Sequence, residues 1–383
     1  MPLHFSVEEL ATRRQAAVRA MVEEGLDGLL MFRQESMYYL TGYDGFGYVY
    51  FQCLYLGADG TLTLLTRTPD ILVARFTSMI EDLRVWRDVH GTNPADNLRE
   101  ILDEHGCRGR VLGVEYEAYG LTGNNLLRLQ GALDGFCRLE DASHLVSRLR
   151  LVKSPAELAY VRRAAELADD ALDEGRRLAV AGAFEGDILA AMQGIVFRGD
   201  GDYPGNEFII GSGPGALMGR YITGRRHLEA EDQLTLEFAG VYRRYHACLM
   251  RTIRIGAPPP LVLEMHKVAL EAMAACSQVL RPGRTMGEVF DAYAKVCDEA
   301  GYGAHRFAAC GYCLGTTFSP NWMDWPMFYT GNPVTLAPNM VFFVHMLLMN
   351  EAAGLAVTPA HTVVITADGC ESLSRHALDL IVN

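Results

Sequence analysis

The sequence predicts a mixed α/β (α+β) protein of two domains, an α/β domain over residues 1–150 and a strand-rich domain over residues 151–383. A length of 383 residues suits two domains of ordinary size. In the first 150 residues, short apolar runs alternate with helical stretches, which is typical of α/β layers. Ser154-Pro155-Ala156-Glu157 then supplies an N-cap, a first-turn proline and a capping-box acid, which mark a domain boundary.

The individual elements follow from periodicity and from capping residues. Ser6 and Glu9 begin a helix that Gly25 ends, a second helix runs from Ser154 to about Val180, and Thr285 and Glu288 begin a third that ends at Gly301. Apolar runs predict strands at residues 27–32, 61–67, 110–116, 339–349 and 362–366. Residues 234–240 and 245–255 resemble a hairpin, with Arg243 and Arg244 near its turn.

The composition excludes several classes of protein. Lys and Arg number 34 against 47 Asp and Glu, a net charge of −13, so we expect no nucleic-acid partner, which would require a basic field. No apolar run reaches the roughly 18–20 residues of a membrane span. The first residues lack the basic and apolar regions of a signal peptide, so we expect no membrane association and a cytoplasmic location.

The nine cysteines form an odd set within apolar stretches, which indicates buried thiols in a reducing compartment. Cys310 and Cys313 have CxxC spacing, but zinc would need a second pair of ligands, and none is evident in the sequence. We therefore expect no cofactor.

Two ionisable residues stand alone in apolar strands. Alternation places Glu237 with Thr235 and Ala239 on one face of its strand, opposite Leu234, Leu236 and Phe238. Such a carboxylate faces solvent, a partner or a cavity, because burying it unpaired is costly. His345 lies among apolar neighbours in 340–349, where an imidazole is either a core residue bonded to a carbonyl or a pocket residue suited to proton transfer.

A third group comprises His246, Cys248 and Arg251, with the first two on one face of their strand and Arg251 on the other. Each of them can be a packing residue, and the alternative with a specific function is that Cys248 is a nucleophile paired with His246. Side chains two apart on a strand lie about 6–7 Å from each other, too far for a direct proton relay.

Aromatic residues are concentrated in two segments. Trp322 and Trp325 lie in one, and Tyr48 lies in the other, at residues 38–51. Aromatic faces suit a small cationic or zwitterionic ligand, and they suit a core or a subunit interface equally well.

The order of these segments resembles the creatinase/prolidase family, also called the aminopeptidase P or pita-bread family, over nearly the whole chain. The resemblance rests on residues 148–158, 228–240, 251–256, 311–315, 336–342 and 362–369. Residues 39–46 and the pair Tyr245-His246 look most like the ectoine hydrolase branch. The resemblance implies a creatinase-like N-terminal domain, a C-terminal pita-bread catalytic domain and a homodimer.

Metallopeptidases of this family bind two metal ions through two Asp, one His and two Glu. The resemblance places these ligands at Glu237, Cys248, Tyr312, His345 and Ala360, so one carboxylate remains of four. Hard divalent metals prefer several carboxylates. No metal is therefore expected, and Glu237, Cys248 and His345 are the ligands if one is bound.

Creatinase and ectoine hydrolase look metal-independent and cleave C–N bonds in small zwitterions. The loop histidine of that branch falls at Arg220, and its last-strand glutamate falls at Ala360. The sequence thus predicts a metal-independent hydrolase of an amide- or amidine-type C–N bond in a small polar compound.

In this hypothesis Glu237 is the base or nucleophile, and His345 donates a proton, with His246 or His361 nearby. Tyr312 hydrogen-bonds an oxyanion. Arg220 binds a substrate carboxylate, and Tyr48, Trp322, Trp325 and His361 complete the substrate site. Two alternatives stay open: a Xaa-Pro-type metallohydrolase or lyase with atypical ligands, and a binding protein of the same fold without activity.

Overall fold

A computed structural model describes residues 3–220 and 223–383. The chain divides into two compact units, one ending at Arg150 and the other spanning Leu151–Asn383. Across the described residues, no helix is long and apolar enough to cross a membrane.

The N-terminal unit is a six-stranded sheet with helices packed on it. Its helices are α1 (Val7–Glu23), α2 (Gln34–Thr41), α3 (Ile71–Thr77), α4 (Pro94–Glu104), α5 (Gly123–Leu133) and α6 (Leu145–Arg150). Its strands are β1 (Gly28–Met31), β2 (Cys53–Gly57), β3 (Leu62–Arg67), β4 (Asp82–Trp86), β5 (Val111–Val114) and β6 (Arg138–Asp141). They follow the order β4-β3-β2-β1-β5-β6.

Strand β1 lies at the centre of this sheet and is buried on both faces. Leu29 packs in one hydrophobic cluster with residues of α1, whereas Leu30 packs in another with residues of α4 and α5. This double burial explains why the strand reads as a continuous apolar run. The predicted helix that begins at Ser6 is confirmed, since the Ser6 hydroxyl accepts a hydrogen bond from the Glu9 backbone N–H.

The C-terminal unit is built around a larger sheet. Its helices are α7 (Pro155–Leu178), α8 (Glu185–Arg198), α9 (Pro260–Val279) and α10 (Met286–Glu299). Its strands are β7 (Ile209–Ser212), β8 (Asp232–Tyr242), β9 (Tyr245–Ile255), β10 (Gly311–Cys313), β11 (Asp324–Met327), β12 (Val341–His345), β13 (Leu348–Asn350), β14 (Leu355–Val357), β15 (Ala360–Ile365), β16 (Cys370–Ser372) and β17 (Ile381–Val382). The main path is β11-β10-β12-β15-β9-β8-β7, with β16 beside β15 and β17 beside β9, and β13 pairs with β14 separately.

The capping-box predictions of this unit are confirmed. Ser154 and Glu157 close a reciprocal capping box at α7, and Thr285 and Glu288 do so at α10. The strand predicted over residues 339–349 is instead two strands, β12 and β13, which end and begin on either side of Met346 and Leu347. The two parts pair with different partners, so apolar character alone could not separate them.

The hairpin of β8 and β9 is the longest pairing in the sheet, with Asp232 opposite Ile255 and Tyr242 opposite Tyr245. Arg243 and Arg244 form its two-residue turn with φ values of 50° and 66°, the left-handed backbone that such hairpins need. On one face, Leu236 and Gly240 pack towards α7: a Cβ on Gly240 would lie 1.9 Å from the Ala164 carbonyl oxygen. Glu237 therefore projects from the opposite face, as alternation predicted.

A single buried carboxylate closes the loop between β7 and β8. Glu185, in the first turn of α8, accepts a hydrogen bond from the Ser212 backbone N–H at 2.6 Å and from the Arg226 backbone N–H at 2.7 Å. Gly224 passes so close that a Cβ there would lie 2.0 Å from a Glu185 oxygen. Both ends of the loop that carries Arg220 are thus held by one side chain.

Replacing Glu185 by Ala removes both acceptors and leaves two backbone donors without partners. We expect the free energy of unfolding to fall by about 2–4 kcal/mol, measured by urea denaturation followed by circular dichroism. Asp187→Asn is the matched control, because Asp187 lies in the same helical turn and is exposed. Equal effects of the two variants would show that the helix dipole, rather than closure of the loop, is what Glu185 stabilises.

Candidate active site

A cavity of about 370 Å³ opens on the sheet face that carries Glu237. Five residues predicted for the site line it: Arg220, Glu237, Tyr312, Trp322 and His345. They come from five different strands or loops, which the register of the sheet brings together. Arg220 and Glu237 are the charged side chains of this lining among the described residues.

Glu237 lies in β8 directly opposite Ile209 of β7 and Met250 of β9. Its carboxyl is enclosed by protein and partly accessible from the cavity. Burial raises the pKa of Glu237 to about 7, and the charge of Arg220 and a hydrogen bond from Tyr312 offset this only in part. A carboxyl with this pKa is suited to exchange a proton near neutral pH.

Tyr312 is held beside this carboxyl by an indole. The Trp322 Nε1–H donates to the Tyr312 hydroxyl oxygen at 2.9 Å, and that hydroxyl in turn donates to Glu237 Oε1 at 3.5 Å. Burial, together with the charge of Glu237, raises the pKa of Tyr312 well above its usual value. Tyr312 is therefore a neutral hydrogen-bond donor at this site.

His345 ends β12 and is buried against the aromatic rings of Tyr312 and Phe343, whose centroids lie 5.9 and 5.7 Å from its own. Burial lowers the pKa of His345 to about 4, and the charge of Arg220 acts in the same direction. The imidazole is consequently neutral at pH 7, so it offers a neutral N–H or a lone pair rather than a stored proton.

Arg220 supplies the positive charge of the cavity. Its side chain is exposed, and its guanidinium contacts Met323 Sδ at 3.6 Å. A guanidinium is a cation that presents a planar set of donors. The cavity thus combines one fixed cation with one carboxyl whose charge changes near neutrality.

His246 does not line the cavity. Its Nε2 accepts from the Gly205 backbone N–H at 2.8 Å, and its Nδ1 lies 3.0 Å from the Arg244 carbonyl oxygen. Burial lowers the pKa of His246 to about 4. Both ring nitrogens are therefore used to hold neighbouring backbone.

His361 also lies away from the cavity. Successive side chains of a strand point to opposite faces of the sheet, so His361 and its neighbour Ala360 lie on different faces of β15. The Nδ1 atom of His361 is 2.9 Å from the Ser372 hydroxyl. Burial and the nearby Arg251 lower the pKa of His361 to about 4. No hydrogen-bond partner for its buried Nε2 exists within residues 3–220 and 223–383.

Trp325 and Tyr48, the other two aromatic residues predicted for the substrate site, are not among the residues that line this cavity. Trp325, in β11, packs against the hydrophobic cluster between the sheet and helices α9 and α10. Tyr48 belongs to the N-terminal unit, where it is buried in the short 3₁₀ turn Gly47–Val49 with its ring 5.4 Å from that of Phe46. Their roles in substrate binding stay predictions.

The donor set does not fit a metal ion. Cys248 lies on the same face as Glu237, but burial raises the pKa of this thiol well above its usual value, which disfavours the thiolate ligand. Ala360, directly opposite His345, offers no donor. The described chain contains no group of three or more His, Cys, Asp or Glu side chains placed to hold a metal.

Sequence analysis did not predict several lining residues, which are mostly apolar: Asn206, Ile209, Gly219, Phe307, Ala308, Ala309, Met323, Met327 and Leu347. They lie in loops and at strand ends, where periodicity carries little information. The run Phe307-Ala308-Ala309, three apolar residues directly after Arg306, is the feature of the sequence that could have indicated a cavity wall.

Comparison with known proteins places both units in known families. A model described as "Metallopeptidase family M24" matches residues 159–367, and one described as "Creatinase/Prolidase N-terminal domain" matches residues 13–152. The chain is 28% identical over 400 residues to an ectoine hydrolase from Halomonas elongata, covering 99% of this chain and 98% of that protein.

It is also 22% identical over 373 residues to a Xaa-Pro dipeptidase from Pyrococcus furiosus, covering 96% of this chain and 99% of that protein. The solved structure of a prolidase from Thermococcus sibiricus superposes with a TM-score of 0.88 at 20% identity, over 99% of this chain and 100% of the other. The two predicted folds are therefore confirmed, and the chain belongs to metallopeptidase family M24, with a creatinase/prolidase N-terminal domain.

Proposed function

We propose that this chain is a hydrolase that cleaves an amide- or amidine-type C–N bond in a small carboxylate-bearing nitrogen compound without a metal ion. The observation that carries the proposal is Glu237, a single carboxyl with a pKa of about 7, hydrogen-bonded to Tyr312 and facing a cavity whose cation is Arg220. The similarity to an ectoine hydrolase supports this substrate class, and similarity to hydrolases generally supports catalysis rather than binding alone.

The proposed reaction needs one proton to be taken up and returned. Ionised Glu237 removes a proton from a water molecule, whose oxygen forms a bond to the substrate carbon. The Tyr312 hydroxyl, fixed by Trp322, turns its single proton from Glu237 to the oxygen or nitrogen that becomes negative. Protonated Glu237 then gives its proton to the leaving nitrogen as the C–N bond breaks.

We assign His345 a role other than the proton donor that the sequence predicted. Because its pKa is about 4, it holds almost no stored proton at neutral pH. A neutral imidazole orients the substrate through a hydrogen bond, while Arg220 binds the substrate carboxylate. The homodimer and the cytoplasmic location stay predictions.

Replacing Glu237 by Gln removes the base while keeping the shape of the side chain. We expect kcat on ectoine-like amides to fall by about 10²- to 10⁴-fold, with substrate affinity retained. Glu207→Gln is the control, because Glu207 is an exposed carboxylate near the start of β7. Unchanged turnover in the Glu237→Gln variant contradicts the mechanism, and ligand affinity with no turnover in the unaltered protein favours a binding protein.

The pH profile tests the same carboxyl without substitution. The active form is the carboxylate, so kcat/KM should rise with pH, about tenfold per pH unit, and level off above about 7. His345, with a pKa of about 4, should add no step in this range. A profile that falls through neutrality would identify protonated Glu237 as the active form and overturn its role as base.

Metal content separates this proposal from a Xaa-Pro metallohydrolase. We expect elemental analysis of purified protein to find substoichiometric metal, and turnover to persist after chelation, because the donor set offers one carboxylate. A Cys248→Ala variant should keep this behaviour. Stoichiometric metal, with activity lost on chelation and on substitution of Cys248, would mean that Glu237, Cys248 and His345 are ligands.

A further inference from the structure

A second and larger cavity lies along the same face of the β8–β9 hairpin. Its volume is about 810 Å³, and Phe307 lines both cavities. Arg254 of β9 lies on this face four residues from Met250, the residue opposite Glu237, which corresponds to about 13 Å along the strand. A small molecule bound at Arg254 therefore does not reach Glu237.

Arg254 is the unusual feature of this cavity. Its side chain is 5% exposed, yet its guanidinium makes no hydrogen bond or ion-pair contact with any described residue, and its Nε is buried without a partner. The charges of Asp232 and Glu231 act on this guanidinium, but no acceptor among the described residues forms a hydrogen bond with it, so its donors are open to an anionic ligand. Its planar donors match a carboxylate.

The neighbouring polar groups are already engaged. Gln233, directly opposite Arg254, donates to the Gly213 and Gly354 carbonyl oxygens and accepts from the Ala356 backbone N–H. Asp232 accepts from Arg226 and from the backbone N–H groups of Glu229 and of Gln233. Neither side chain is available to turn towards Arg254.

The other charges of the cavity decide what kind of anion fits. Arg226 is paired with Asp232 and Glu229, which leaves Arg254 with two exposed carboxylates, Glu231 and Glu351. A simple anion would meet this negative surplus, whereas a ligand that also carries an ammonium group would be attracted by it. Apolar side chains complete the wall: Leu217, Met218, Phe307, Met349 and Leu355.

We infer that this cavity is a second ligand site, distinct from the candidate active site, for a compound with a carboxylate, an ammonium group and an apolar side chain. This is the chemistry of an apolar α-amino acid, free or at the end of a short peptide. Arg254 binds the carboxylate, Glu231 and Glu351 attract the ammonium group, and the apolar wall receives the side chain.

Isothermal titration calorimetry of the full chain tests this with a set of probes on the unaltered protein. Leucine should bind, while leucinamide, which lacks the carboxylate, and 4-methylpentanoate, which lacks the ammonium group, should bind about tenfold or more weakly. Leucyl-leucine shows whether the site takes free amino acids or peptides, and inorganic phosphate should not compete. No leucine binding at millimolar concentration, or equal affinity for leucinamide, overturns the inference.

Variants then locate the bound ligand. Arg254→Gln should weaken leucine binding by about 10- to 100-fold, and Arg254→Lys, which keeps the charge but not the planar fork, should weaken it less. Glu237→Gln should leave the affinity unchanged, so failure of the proposed hydrolase activity does not affect this result. Loss of leucine binding in Glu237→Gln, with affinity kept in Arg254→Lys and Arg254→Gln, would place leucine in the candidate active site instead.

Discussion

The register of the β8–β9 hairpin is the constraint on which both cavities depend. Because its two-residue turn fixes which residues face each other, a single pairing places Gln233, Glu237, Met250 and Arg254 on one face. A slip of one residue would turn the pair on one strand, either Gln233 and Glu237 or Met250 and Arg254, towards α7, where Gly240 leaves no room for a side chain. The proposed chemistry at one end of this face and the inferred ligand site at the other therefore depend on the same hydrogen-bond ladder.

Scarcity of charge gives the candidate active site its properties. Many carboxylates around one metal would share its charge and stay ionised, whereas Glu237 lies in mostly apolar surroundings and its pKa rises to about 7. The same surroundings keep His345 neutral and Tyr312 protonated. One desolvated environment thus sets three protonation states. The family resemblance implies that Cys, His and Ala stand where metallopeptidases have carboxylates, and such replacements change the chemistry as well as the ligand count.

Local features of the sequence predicted much of this structure. The capping boxes of α7 and α10, the β8–β9 hairpin and the face on which Glu237 lies follow from residue spacing. The resemblance to a family supplied Tyr312 and Arg220, which no local pattern would select. His246 and His361 could not be placed from the sequence alone. Their positions in the chain suggested the site, but their imidazoles hydrogen-bond to Gly205 and Ser372. Arg254 was missed because a lone arginine in a strand gives no indication that its buried Nε–H has no acceptor among the described residues.

Because Glu185 closes the loop, the stability of the strands and the choice of the loop residue that faces the cavity are separate matters in the C-terminal unit. Since a helix side chain holds both ends of the segment between Ser212 and Arg226, an exposed residue between those ends can change without disturbing the strands. Arg220 lies within this segment. A substitution at this position would therefore change the charge that faces the cavity on an unchanged scaffold, which makes the loop a practical point for redesign.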